Sequence, residues 1–233
     1  MHYSRAHSST AEREAGSLEV RVQFPMGPFT NMNNSIAIKQ LKFLEKLAPD
    51  NLRLAAEWKE KWKILISTIL SSQTKDETTI RISELLYDRY SAQKKLAEAK
   101  SRDIMKIIRP VNFYKTKAGH IKETAKIISK QGIPETREEL MKLPGVGRKV
   151  ANVYLIEAHK VNCIAVDTHV ARISRKLGWT KNKDRLKIEH DLEKLFPKKY
   201  WININNILVR FGRTYGRSRK KEDEILSRIK NFY

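Results

Sequence analysis

Two short segments hold residue types that could do chemistry together: Leu143-Pro-Gly-Val-Gly-Arg-Lys149, and Val166-Asp-Thr-His169, whose Asp167 comes eighteen residues after Lys149. In the first, Pro144, Gly145, Val146 and Gly147 make a tight turn between two helical patterns. Glycine reaches backbone angles closed to other residues, so two glycines around one valine leave several N–H groups pointing outward. With the positive end of the following helix, those groups can hold a phosphate without reading a base sequence. A lone Gly-x-Gly would suit an ordinary packing corner; the full Leu-Pro-Gly-Val-Gly between periodic helices favours the clamp, and Arg148 adds a cation to it. Lys149 falls in the first turn of the second helix, where the helix dipole opposes a positive charge. An amine placed there, especially a desolvated one, loses part of its preference for the charged form and becomes a nucleophile near neutral pH. Position alone is equally compatible with a phosphate-binding lysine. Asp167 has a structural job as N-cap of the helix that begins at Thr168, worth about 1 kcal/mol. A catalytic role needs Lys149 nearby, and one helix plus a short return between them can bring both to one cleft. His169 reads as a helix-start residue rather than a ligand.

The charge balance indicates what such a clamp would meet. The chain of 233 residues has 47 Lys+Arg against 26 Asp+Glu, a net charge of +21, and such a protein seeks a polyanion. A merely basic surface or a membrane-surface binder are the alternatives; the clamp selects nucleic acid, and the nucleophile with its acid points to chemistry on DNA. No apolar run approaches the ~18 residues of a membrane span, and residues 1–34 lack the apolar stretch of a signal peptide. The expected location is the cytoplasm, on the nucleoid. The single cysteine, Cys163, excludes an intrachain disulfide and a cysteine-held metal cluster, and its apolar neighbours Val161, Ile164, Ala165 and Val166 give it a core-packing role. No His, Cys or carboxylate set has zinc-site spacing, and no cofactor is expected.

The elements that must position these residues are helices. Residues 1–34 are polar, carry Pro25 and Pro28 and lack helical periodicity; they read as a disordered tail or an added leader, with Met32 a plausible natural start. Beyond them the apolar spacing predicts helices over 36–47, 62–70, 80–90, 92–99, 101–108 and 115–131, then 136–143 entering the hairpin and 148–158 leaving it. Further helices are predicted over 168–177, 184–195, 202–212 and 220–232, the last one basic. The only strand-like piece is the short apolar run 163–166. The fold class is all-α.

The hairpin residues with Val150-Ala-Asn152, and Ile164-Ala-Val-Asp-Thr-His169, resemble the helix-hairpin-helix DNA glycosylase superfamily, specifically endonuclease III. Supporting matches are Ile69-Leu-Ser-Ser-Gln-Thr-Lys-Asp76, Phe113-Tyr-Lys-Thr-Lys-Ala118 and Leu208-Val-Arg-Phe-Gly-Arg213, in the family's order, over about residues 36–219. The resemblance implies a six-helix barrel domain with the hairpin (53–161) and a second helical domain made from both chain ends (35–52 and 162–233), flanking a DNA-binding cleft. It implies a monomer acting on double-stranded DNA with a damaged base or an abasic site, and a nucleotide flipped into the cleft. Lys149 would attack the sugar C1′, expelling an oxidised pyrimidine and forming a Schiff base, and β-elimination would cut the strand on the 3′ side. Asp167 would help generate the nucleophile or stabilise positive charge on the sugar. Gln73 falls where the family inserts a glutamine into the gap left by the flipped base; a helix C-cap is its alternative. Phe113 matches a wedging leucine; a core aromatic is its alternative. The hairpin carbonyls of Met141, Leu143 and Val146 are candidates for a monovalent cation.

The family usually ends with four cysteines holding a 4Fe–4S cluster, whereas the corresponding tail here, residues 213–221, has none. Direct packing of Trp201, Tyr215 and the last helix is expected to close the second domain instead, with Arg213, Arg217, Arg219, Lys220 and Lys221 offered to phosphates. Glycosylases for 8-oxoguanine or mismatched uracil or thymine, and a non-catalytic helix-hairpin-helix DNA-binding protein, are the competing functions. The Lys149/Asp167 pair argues against the last, since phosphate binding alone needs no partnered acid.

Overall fold

A computed structural model describes residues 33–232, so the expectations for 1–32, including the start at Met32, lie outside the described residues. Asn33 and Asn34 are not part of a tail: Asn33 caps the first helix, accepting from the Ile36 N–H at 3.0 Å, and Asn34 opens it. The helices are α1 (Asn34–Leu47), α2 (Lys61–Ser71), α3 (Asp76–Arg89), α4 (Gln93–Glu98), α5 (Ser101–Ile108) and α6 (Tyr114–Gln131), then α7 (Arg137–Leu140), α8 (Arg148–His159), α9 (Thr168–Leu177), α10 (Arg185–Leu195), α11 (Trp201–Tyr215) and α12 (Arg219–Phe232). There is no β-strand among the described residues. Of the expected boundaries that move, two do so for clear local reasons, while α7 ends at Leu140 rather than 143. α3 starts a turn early because Asp76 and Glu77 suit the positive end of a helix. α11 runs through Gly212 rather than stopping there; that glycine admits His169, whose Nδ1 would lie 2.2 Å from an added Cβ.

Two apolar clusters divide the helices. The first is built by α2 to α8 around α2, whose residues 64 to 70 are all buried, as expected of a helix apolar on every side. The polar pair on that helix stays satisfied, because Ser67 Oγ and Thr68 Oγ1 both donate to the Ile64 carbonyl, at 3.1 and 2.7 Å. α1, α9, α10, α11 and α12 build the second cluster, joining the first and last helices of the described residues. The segment from Cys163 to Val166 belongs to both: Cys163 and Ala165 enter the first cluster, Ile164 and Val166 the second. Extended backbone sends successive side chains to opposite sides, so four residues tie two cores together without pairing as a strand. Side-chain amides take over the ladder's role: Asn152 Nδ2 donates to the Ile164 carbonyl at 2.7 Å and Asn205 Nδ2 to the Ala165 carbonyl at 2.9 Å.

Trp201 and Tyr215 pack against the second cluster as expected, and Leu226 and Ile229 of α12 are buried in it. Charge assists as well. Glu222, 1% exposed, accepts from Arg172 at 2.6 Å and lies 3.6 Å from Lys176, which also pairs with Asp223. These contacts fasten α12 to α9. The residues do not fit an iron–sulfur cluster: the lone Cys163 is buried between α8 and its return, 3.6 Å from the Asn152 carbonyl.

Candidate active site

The hairpin is fixed by its apolar residues. Leu140, Leu143 and Val146 are buried in the first cluster, Thr124 Oγ1 donates to the Pro144 carbonyl at 2.9 Å, and the Val146 N–H closes the turn on the Leu143 carbonyl at 3.1 Å. The two glycines have different reasons. Gly145 has φ +78°, and a Cβ there would lie 2.8 Å from His120 Nδ1. Gly147 is exposed and would meet nothing within 4 Å. Nothing inside the protein demands its missing side chain, and no side chain caps α8. The first-turn N–H groups of α8 are therefore open to an external acceptor.

Lys149 follows in that first turn and is half-buried. Asp167 is the N-cap of α9, where its Oδ1 accepts from the Val170 N–H at 2.8 Å. Both line one cleft of about 850 Å³, together with Gln73, Asp76, Arg185 and Glu189. Lys149 makes no ion pair among the described residues, with Asp167 or any other group. Burial pushes its amine below the ordinary 10.5, while the charges of Asp167 and then Asp76 act in the opposite direction. The site thus contains an amine whose neutral form is favoured and a carboxylate near enough to be felt but not paired.

Several cleft residues were not singled out by the sequence. Asp76 opens α3, and burial raises its carboxyl above the ordinary 3.8 against the opposing charge of Arg213. That arginine corrects an expectation: Arg213 was expected to face phosphates, but its side chain is 10% exposed and donates to the Arg53 carbonyl at 2.8 Å, Asp76 at 3.0 Å and Glu77 at 3.1 Å. Arg148 is likewise engaged, gripping the buried Glu189 with two hydrogen bonds of 2.8 and 2.9 Å; Asn152 Nδ2 reaches the same carboxylate at 3.2 Å. Glu189 thereby joins the hairpin helix to α10. Arg217, Arg219 and Lys220 are exposed. Arg219 lines a smaller basic cavity of about 510 Å³ with Arg175, Lys176 and Lys183, sharing His169 and Arg185 with the main cleft.

Gln73 and Phe113 are the two most unusual positions of the backbone near the cleft. Both are exposed, Phe113 by 63%, which excludes the core-aromatic reading of Phe113; Ser72, not Gln73, is the C-cap of α2. Both have left-handed backbone, φ +56° and +58°, a conformation costing non-glycine residues about 1–3 kcal/mol. Beneath them lies Lys117, 6% exposed, its amine lowered to about 8 by burial and by the charge of Lys149. A sequence signal for it existed: Lys117 falls in register with the buried Ile121, Thr124 and Ile128 along α6, where a lysine has no business unless it finds acceptors.

Residues 66–198 match the model of the HhH-GPD superfamily base excision DNA repair protein family. The chain is 44% identical to endonuclease III of Thermotoga maritima over 155 residues, covering 65% of this chain and 73% of that protein. It is 35% identical to endonuclease III of Synechocystis sp. over 188 residues, covering 79% and 85%. A solved structure of a trapped endonuclease III–DNA covalent intermediate superposes with a TM-score of 0.74 at 30% identity, covering 81% of this chain and 90% of that one.

Proposed function

This chain belongs to the endonuclease III family of HhH-GPD base excision DNA repair proteins, and we propose that Lys149 and Asp167 carry out its reaction on an oxidised pyrimidine in duplex DNA. The enzyme is a bifunctional DNA glycosylase and abasic-site lyase. The neutral Lys149 amine attacks C1′ of the extruded nucleotide, the C1′–base bond breaks, and the amine becomes a Schiff base with the opened sugar. β-Elimination then removes a proton from C2′ as the C3′–O bond breaks, and the 3′ phosphate leaves with that oxygen. Asp167, held by its cap, stabilises the positive charge that develops on the sugar or takes the amine's proton. The observation that carries this reading is a partly buried amine, lowered in proton affinity and unpaired, in one cleft with a fixed carboxylate.

The uncapped start of α8 and the open space at Gly147 support a phosphate seated on the hairpin. A monovalent cation held by the carbonyls of Met141, Leu143 and Val146 in the same turn would share the Leu143 oxygen with the Val146 N–H. The exposed cations Arg217, Arg219 and Lys220, and the net charge of +21, suit a protein kept on the nucleoid. Borohydride reduction during reaction with an abasic duplex tests the central step. A stable one-to-one protein–DNA adduct through Lys149, found by peptide mapping, is expected; no adduct, or one through another lysine, would overturn the assignment. A cleavage panel with thymine glycol, dihydrouracil, uracil and 8-oxoguanine tests the substrate class.

A further inference from the structure

The buried Lys117 is a charged group that the reaction does not use, and its three partners identify what it is for. Its Nζ donates to the Leu70 carbonyl at 2.7 Å, the Ser72 carbonyl at 2.5 Å and Thr74 Oγ1 at 3.2 Å. The two carbonyls belong to the negative end of α2, where a cation is favoured. All three acceptors surround one residue, Gln73. The neighbouring Asn112 completes the arrangement: its N–H donates to the same Thr74 Oγ1 at 3.2 Å, and its Nδ2 to the Gln73 carbonyl at 2.5 Å. Asn112 immediately precedes Phe113, and Lys117 closes the first turn of α6 by donating its N–H to the Phe113 carbonyl at 3.0 Å. The two left-handed, exposed tips are thus tied to the same two residues: Asn112 bonds the Gln73 carbonyl and adjoins Phe113, while Lys117 bonds the residues flanking Gln73 through its side chain and the Phe113 carbonyl through its backbone N–H.

We propose that Lys117 and Asn112 are positioning residues that lock Gln73 and Phe113 into one rigid two-pronged wedge for opening duplex DNA around an extruded nucleotide. The proposal rests on the family-based reading of Gln73 and Phe113 as inserting residues. A flexible loop would lose conformational freedom at the moment of insertion; a loop braced in the free protein has already lost it. The brace therefore matters only where bases must be unstacked, a step of a few kcal/mol. A substrate that is already unpaired should be indifferent to it.

Asn112→Ala removes an exposed side chain and leaves the fold's buried groups alone; Lys117→Met tests the buried half. Single-turnover excision of thymine glycol is measured from a normal duplex and from the same strand with unpaired flanking bases. A 2-aminopurine beside the lesion reports unstacking separately from chemistry. Each variant is expected to slow excision and unstacking in the duplex by on the order of tenfold, and to act on the unpaired substrate at the parental rate. Equal slowing of Asn112→Ala on both substrates, or none on the duplex, would overturn the brace. Gln73→Ala and Phe113→Ala run alongside separate the two failures: if they too leave duplex excision intact, the inserting role itself is wrong, whereas if they slow it and Asn112→Ala does not, only the brace is.

Discussion

The hairpin and the α2–α3 loop both line the cleft, yet the residues proposed to act on DNA are placed by different means in the two regions. Lys149 and Asp167 sit at helix starts, one in the first turn of α8 and the other capping α9, and helix starts are set by neighbours within about four residues. Gln73 and Phe113 sit on left-handed backbone at the ends of α2 and α6, and the segment around Gln73 is held by bonds from Asn112 and Lys117 across 38 to 47 residues of sequence. On the hairpin side, local structure places the chemistry. On the loop side, tertiary contacts hold a conformation that the local sequence disfavours. Substitutions in the two regions should therefore differ in what they cost.

The largest effect is expected at the hairpin lysine. Lys149→Gln should abolish base excision and strand cleavage while leaving duplex affinity within a few-fold of the parent, because the clamp is mainly backbone; gel shift and cleavage assays check it. Asp167→Asn comes next. Asparagine still caps a helix, so thermal stability should hold, while single-turnover excision falls by about 10²–10³. Its pH profile adds a signature. Asp167 raises the Lys149 proton affinity that burial lowers, so removing the charge lowers that affinity further and moves the acid limb of the rate to lower pH. An unmoved limb would mean that Asp167 does not act on the amine.

Smaller effects should separate stability from binding within the hairpin. Gly145→Ala, with positive φ and His120 in the way, should lose about 1–3 kcal/mol of stability in denaturant melts. Gly147→Ala, with nothing within 4 Å, should melt as the parent does and bind duplex about tenfold more weakly, one lost phosphate contact. The smallest effect has the opposite sign. Gln73→Gly relieves left-handed strain and should raise stability by up to about 1 kcal/mol, while slowing excision from duplex DNA. A loss of stability there would show that the loop stores no strain and that the two regions do not differ.

The same contrast explains what could be read in advance. The helices were legible because their apolar spacing and caps are local: Asp167, Asp184 and Thr136 each accept an N–H from the third residue onward, as N-caps do. Arg213 was misread because a run of basic residues suggests phosphate contacts, whereas its place on α11 faces it toward Asp76 and Glu77 of α3. Glu222, an acid within a basic helix, is buried because α9 supplies Arg172 and Lys176. Lys117 sat in a buried stripe with no acceptor visible nearby, since its acceptors lie on α2.

By itself, the sequence determined the helices, the hairpin with its two glycines, the candidate nucleophile and acid, and the absence of cysteines for a cluster, because periodicity, capping and residue chemistry act over a few positions. Tertiary structure decided which charges face the cleft and which are consumed in pairing, how one extended segment serves two cores, and how a buried cation from α6 holds the residues flanking Gln73. A side chain's partner, burial and proton affinity depend on whatever the fold brings within hydrogen-bond reach, and for Lys117, Arg213 and Glu222 that came from 43 to 47, 136 to 160 and 46 to 50 residues away.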